Sequence, residues 1–144
     1  MWSIDRDATF TMTGDGQELG HCLTTTYSGG GPPTHRVRVL FYMRPISFQQ
    51  TLVHELTHAL INERGIGRKQ LIGGFCNYVA YLFLRHVSDT GSTAAEQAEA
   101  RRAIDRMQAN DNVTYGVNFR TVRDTLADRP NDALTWLAST SELV

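Results

Sequence analysis

The sequence predicts an α+β fold in which a small N-terminal β-sheet precedes a helical half. In the first third of the chain, apolar and polar residues alternate with the period of a β-strand. In the remainder, apolar residues recur at helical spacing and the segment boundaries carry helix-capping residues. Because 144 residues can bury one core of ordinary size, we expect a single domain covering residues 1–144.

Three segments are predicted as strands, and each is set off by turn residues. Residues 2–12 carry alternating apolar side chains and lead to the turn Gly14-Asp15-Gly16. Residues 19–27 form a second, threonine-rich candidate. Residues 36–43 show the most regular alternation, so we expect them to be the best-formed strand. Its predicted buried face consists of Val37, Val39, Phe41 and Met43.

The first predicted helix lies between Pro45 and Gly65 and has about sixteen residues. Ser47 and Gln50 match a capping box, with Ser47 as N-cap. The stripe of this helix that we expect to be buried consists of Leu52, Val53, Leu56, Ala59 and Leu60. Glu63 falls off that face and is expected to be solvated, and His35 is expected to be an ordinary strand-end residue.

Further helices are predicted over residues 69–87, 93–109, 121–127 and 132–139. The helix at 69–87 is apolar on nearly every side, so we expect it to be central. Thr93 and Glu96 form a second capping box at the start of the next helix.

The residues with the clearest chemistry are His54-Glu55-Leu56-Thr57-His58, an HExxH motif on the first predicted helix. Helix positions four apart lie one above the other, so His54 and His58 can reach one metal ion. Neutral imidazoles are zinc ligands, and the adjacent carboxylate of Glu55 can accept a proton from a zinc-bound water. The spacing therefore predicts a zinc site suited to peptide hydrolysis, in which Glu55 is the general base.

The motif and the strand before its helix resemble the zincin metallopeptidases over roughly residues 36–64. The resemblance implies a zincin-like fold, a Zn²⁺ cofactor and a protein or peptide substrate. It also implies that the strand at 36–43 binds the substrate backbone as an added strand. The metzincin continuation is absent, because its glycine and third histidine would fall on Ile61 and Arg64.

A catalytic zinc usually has three protein ligands, and the resemblance offers two sources for the third. In the gluzincin branch the ligand position falls on Gly73, which cannot bind metal. In the aspzincin branch the segment Asp111 to Gly116 is similar to the family's short Asp loop, although the family's Asp would fall on Asn112. We prefer Asp111 as the third ligand, and Tyr115 is then a candidate donor to the oxyanion.

Two functions remain open on the sequence. The first is a zinc-dependent endopeptidase; the alternative is a degenerate zincin-fold domain that acts as an interaction or structural module, because Gly73 stands where a ligand is expected. A net charge of −1 gives no general attraction to nucleic acid or membranes, so neither is expected as a partner. The oligomeric state is left open.

Neither the cysteines nor the N-terminus indicates a secreted protein. Cys22 and Cys76 are expected to be buried thiols rather than a disulfide. The apolar run 71–84 is too short for a membrane span, and the N-terminus is charged where a signal peptide is apolar. We expect a cytoplasmic protein, or one exported without an N-terminal signal peptide.

Overall fold

The computed structural model describes residues 2–5, 12–13, 16–17, 19–40, 43–67 and 69–140, and these form a small α+β fold. The predicted α+β class is therefore confirmed, and the zincin-like fold stays a prediction. The chain divides into two compact units, residues 1–65 and residues 66–144. None of the helices in the described ranges is long and apolar enough to cross a bilayer. The expectation of one domain over residues 1–144 stays a prediction.

Within its described residues, the first unit contains five short strands in two sheets. The main sheet has the order β1-β5-β4, with β1 (Trp2–Asp5) parallel to β5 and β4 antiparallel to β5. A separate ribbon pairs β2 (Met12–Thr13) with β3 (Gly16–Gln17). The expectations for Ala8, Phe10, Phe41 and the first two turn residues, Gly14 and Asp15, lie outside the described residues.

The strand before the motif helix is the central strand of the main sheet. β5 (Thr34–Val39) ends four residues earlier than predicted, and Val37 and Val39 are buried as expected. One edge of β5 pairs with β1 and the other with β4 (Gly20–Thr25). Both rows of backbone hydrogen-bonding groups are therefore used, which contradicts the expectation that this strand accepts a substrate as an added strand.

Helix α1 (Pro45–Glu63) follows β5 and carries the HExxH motif. The predicted capping box is wrong, because the helix begins two residues before Ser47 with Pro45 in its first turn and Arg44 as N-cap. Proline fixes φ near the helical value and has no N–H to lose, so it can open the helix without a capping side chain. Gly65, at φ +67°, follows the last turn in the left-handed conformation that glycine adopts most easily.

The predicted buried stripe of α1 is largely wrong as well. Of its five residues only Ala59 is buried, and the other four are half-buried. The buried residues of α1 are Ile46, Glu55, Thr57, Ala59 and Ile61. The helix packs on β4 and β5, so its buried side includes two polar residues that hydropathy alone assigns to solvent.

The second unit is a bundle of helices around α2 (Ile72–Thr90). Helix α3 (Ala94–Gln108) begins at Thr93, whose hydroxyl accepts from the backbone N–H of Glu96, as the second capping box predicts. A π-helical turn (Val113–Val117) leads into α4 (Asn118–Thr125), and a 3₁₀ turn (Pro130–Asp132) leads into α5 (Ala133–Ser139).

Two adjacent glycines of α2, Gly73 and Gly74, let the π-helical turn and the start of α4 approach α2 closely. A Cβ on Gly73 would lie 2.6 Å from a methyl of Thr114, and one on Gly74 would lie 2.5 Å from the backbone of Asn118. Gly73, which stands at the ligand position of the gluzincin branch, therefore has a packing role.

Candidate metal centre

His54 and His58 converge within the first unit. Their Nε2 atoms lie 3.2 Å apart, and their ring centroids lie 4.9 Å apart with the planes inclined by 65°. Both side chains are half-buried on α1. The helical spacing therefore brings the two ring nitrogens together as the motif predicts.

This separation matches what a tetrahedral zinc ion requires. Zinc–nitrogen bonds of about 2.0–2.1 Å at the tetrahedral angle place two ligand nitrogens about 3.3–3.4 Å apart. The observed 3.2 Å needs only a small adjustment of either ring. Without an ion, one ring N–H can donate to the other ring nitrogen across the same gap.

The environment of His58 favours the form of imidazole that binds metal. Burial, and secondly the electrostatic effect of His21 on β4, lower the pKa of His58 below its ordinary value of 6.5. His58 is therefore neutral at neutral pH, and no proton has to leave before a metal ion binds.

Glu55 lies on the side of α1 that faces β4 and is only 7% exposed. Gly20 is the strand residue in front of it, and a Cβ there would lie 2.8 Å from Cγ and 2.9 Å from Oε1 of Glu55. Cys22 lies two residues further along β4, and the pKa of its thiol is raised. Burial is the main cause; the hydrogen bond with Thr24 lowers the pKa in part, and the carboxylate of Glu55 raises it. The carboxylate is thus enclosed by the strand and not displayed on the surface.

Asp111 and Tyr115 lie in the second unit. Asp111 is exposed in the segment between α3 and the π-helical turn, and Asn112 caps that turn by accepting from the N–H of Tyr115 at 3.0 Å. The ring of Tyr115 packs on Gly73, and its carbonyl accepts from the Asn77 amide at 2.8 Å. Asp111 as a metal ligand and Tyr115 as an oxyanion donor both stay predictions.

Two polar residues of the first unit, His35 and Glu63, make a contact that the sequence did not predict. His35 is 3% exposed and is not an ordinary strand-end residue, because its Nε2 lies 2.6 Å from the carboxylate of Glu63. Glu63 is exposed as expected, but its carboxylate is paired with His35. The signal available in the sequence was the alternation of β5, which places His35 on the same face as Val37 and Val39.

Comparison with known proteins finds no match to a family model, to a curated protein or to a solved structure.

Proposed function

We propose that the chain is a zinc-dependent endopeptidase of the zincin type, in which His54 and His58 bind the metal and Glu55 is the general base. The observation that supports this most strongly is the 3.2 Å separation of the two Nε2 atoms on one helix. It fits a tetrahedral ion, and the buried carboxylate of Glu55 occupies the intervening position of the motif.

Zinc, when bound, supplies a Lewis acid that polarises the scissile carbonyl and lowers the pKa of water to about 7. Glu55 accepts the proton of the attacking water and returns it to the leaving amine. The close approach of β4 limits the rotation of the Glu55 side chain, which keeps its carboxylate oriented for both transfers. Tyr115 is proposed as the hydrogen-bond donor to the carbonyl oxygen.

The proposed substrate is an extended polypeptide segment, and β4 replaces β5 as the strand that binds it. One edge of β4 pairs with β5, and the other has no partner strand among the described residues. An extended peptide can add to such an edge through main-chain hydrogen bonds. Gly20, at the start of β4, lies against Glu55, so the bound peptide would pass the proposed general base.

Two residues are proposed as alternatives for the third protein ligand. Asp111 offers an exposed carboxylate on the loop that is similar to the aspzincin one. Cys76 offers a thiol that is fully buried and is not in a disulfide. Zinc accepts a carboxylate or a thiolate, so the donor chemistry allows either.

The proposed function is tested by zinc content and proteolysis on the full chain. We expect one equivalent of zinc in the wild type, and its loss in His54→Ala and His58→Ala but not in the control His86→Ala. Glu55→Gln should keep the zinc and lose about 10²–10⁴-fold of the cleavage rate on denatured casein, the range usual for a general base. A chain that binds no zinc after reconstitution would refute the enzyme and favour the alternative, a degenerate interaction or structural module.

The third ligand is tested with cobalt in place of zinc. A thiolate ligand gives Co²⁺ an intense sulfur-to-metal absorption band in the near ultraviolet, and a carboxylate does not. If Cys76 is the ligand, the wild type shows this band and Cys76→Ser loses it, while Asp111→Asn leaves it unchanged. If Asp111 is the ligand, no such band forms and Asp111→Asn weakens binding.

A further inference from the structure

A polar cluster around the buried His35 joins the C-terminal end of α1 to the sheet, one turn beyond the HExxH motif. It consists of Thr24 on β4, His35 on β5, and Asn62 and Glu63 on α1, and we call it the clamp. His35 is its centre: Nε2 lies 2.6 Å from Glu63 Oε2, and Nδ1 lies 2.9 Å from Thr24 Oγ1. The clamp therefore joins both of the strands on which α1 packs to the helix.

The hydrogen bonds of the clamp are mutually consistent. The Asn62 amide donates to Thr24 Oγ1 at 2.8 Å, which leaves the Thr24 hydroxyl proton able to point at Nδ1 of His35. The other ring nitrogen of His35 then carries a proton and donates it to the carboxylate of Glu63. Because His35 is buried, loss of Glu63 or of Thr24 removes the partner shown here for one of its ring nitrogens at a site that water does not freely reach.

A second contact holds the same helix from the opposite end of β4. Gly20 packs against Thr51 and Glu55, four strand residues before Thr24 meets Asn62. The two contacts are about 10 Å apart along α1, at 1.5 Å per residue, and about 13 Å apart along β4, at 3.3 Å per residue. His58 lies between them and His54 beside Glu55, so the two contacts fix the rotation and the sliding of the segment that carries both imidazoles.

We propose that His35 and Glu63 are positioning residues for the metal centre, which act by holding α1 in the rotation that brings His54 and His58 together. This inference rests on the proposed metal site. Neither residue touches the ion in this proposal; they act through the backbone of the last two turns of α1.

Glu63→Ala is the variant of choice, because the Glu63 side chain is 45% exposed and its loss does not open the core. Co²⁺ titration of the full chain is expected to show about tenfold weaker binding, the lower range for removing a supporting hydrogen bond at a metal site. Glu63→Gln still accepts a hydrogen bond from His35 and should stay within about threefold of wild type. Glu96→Ala, on α3, is the control and should leave Co²⁺ affinity unchanged.

Hydrogen exchange of the metal-free proteins separates positioning from mere stability. The proposal expects faster exchange of the amides 59–63 in Glu63→Ala, with rescue by Glu63→Gln. Wild-type affinity in Glu63→Ala despite faster exchange would overturn the positioning role. If the wild type itself binds no Co²⁺, the proposed metal site is refuted and the positioning role with it. If hydrogen exchange in Glu63→Ala is unchanged, the clamp does not hold the helix, whatever the metal site does.

Discussion

Replacing Gly20 with alanine is a direct test of the contact between β4 and α1. The new Cβ would lie 2.6 Å from Thr51 Cγ2, 2.8 Å from Glu55 Cγ and 2.9 Å from Glu55 Oε1. Ordinary contact begins at 3.4 Å, so the nearest pair must separate by 0.8 Å, the difference between 3.4 Å and 2.6 Å. Strand and helix must therefore move apart, or the Glu55 side chain must leave its rotamer.

The expected cost has a stability part and an activity part. Overpacking of this kind destabilises by about 1–3 kcal/mol. For a chain of this size that lowers Tm by about 3–9 °C. If Glu55 is the general base, a displacement of about 1 Å also lowers the cleavage rate by about 10²-fold.

Thermal unfolding monitored by circular dichroism measures the first part, and Gly29→Ala is its matched control. A Cβ on Gly29 meets nothing within 4 Å, so this variant should unfold at the wild-type temperature. The double variant Gly20→Ala/Thr51→Ser removes the nearest methyl and keeps the hydroxyl that donates to the Ser47 carbonyl, so it should recover part of the loss. A Gly20→Ala protein as stable as the control would refute the packing described for β4 on α1.

Three further outcomes are expected. Gly116→Ala should lower the free energy of unfolding in urea by about 1 kcal/mol or more, because its Cβ would clash with the Asn110 carbonyl. Gly67→Ala, whose Cβ meets nothing within 4 Å, should leave it unchanged, and equal urea midpoints for the two variants would contradict this. Because the pKa of His58 is lowered, the unfolded chain takes up a proton at a pH where the folded chain does not, so His58 should not affect metal-free stability above pH 6.5 and should reduce it as the pH falls below 6.5. His58→Gln should remove that part of the fall, and an unchanged pH profile would count against it. Because burial raises the pKa of Cys22, iodoacetamide at pH 8 should alkylate it more slowly than a free thiol, and equal rates would show that the thiol is exposed and ordinary.

The features predicted correctly from the sequence depend on neighbouring residues. Thr93 caps α3 because the bond to the N–H of Glu96 spans three positions, and the two ring nitrogens of the motif converge because their spacing is helical. Gly65 ends α1 through its own backbone conformation. Each of these follows from a pattern within one turn of helix.

The features missed depend on which segments pair. Nothing in the alternation of residues 36–43 distinguishes a central strand from an edge strand, so the prediction that this strand binds a substrate as an added strand was wrong. The buried side of α1 is set by β4 and β5, which turns Glu55 and Thr57 inward. His35 and Glu63 are 28 positions apart, and no local pattern joins them.

The arrangement of β4, β5 and α1 also bears on the order in which the chain folds. These elements are consecutive, from Gly20 to Glu63, and β4 and β5 form a hairpin closed by the loop at 26–33. The hairpin closes a loop of eight residues, 26–33, which costs little chain entropy and takes microseconds, and α1 begins six residues after β5 ends. β1 instead pairs in parallel, with Trp2 opposite His35, and must close a much longer loop. We therefore expect the segment that carries the motif and the clamp to assemble first, and β1 to join a helix and hairpin that are already formed.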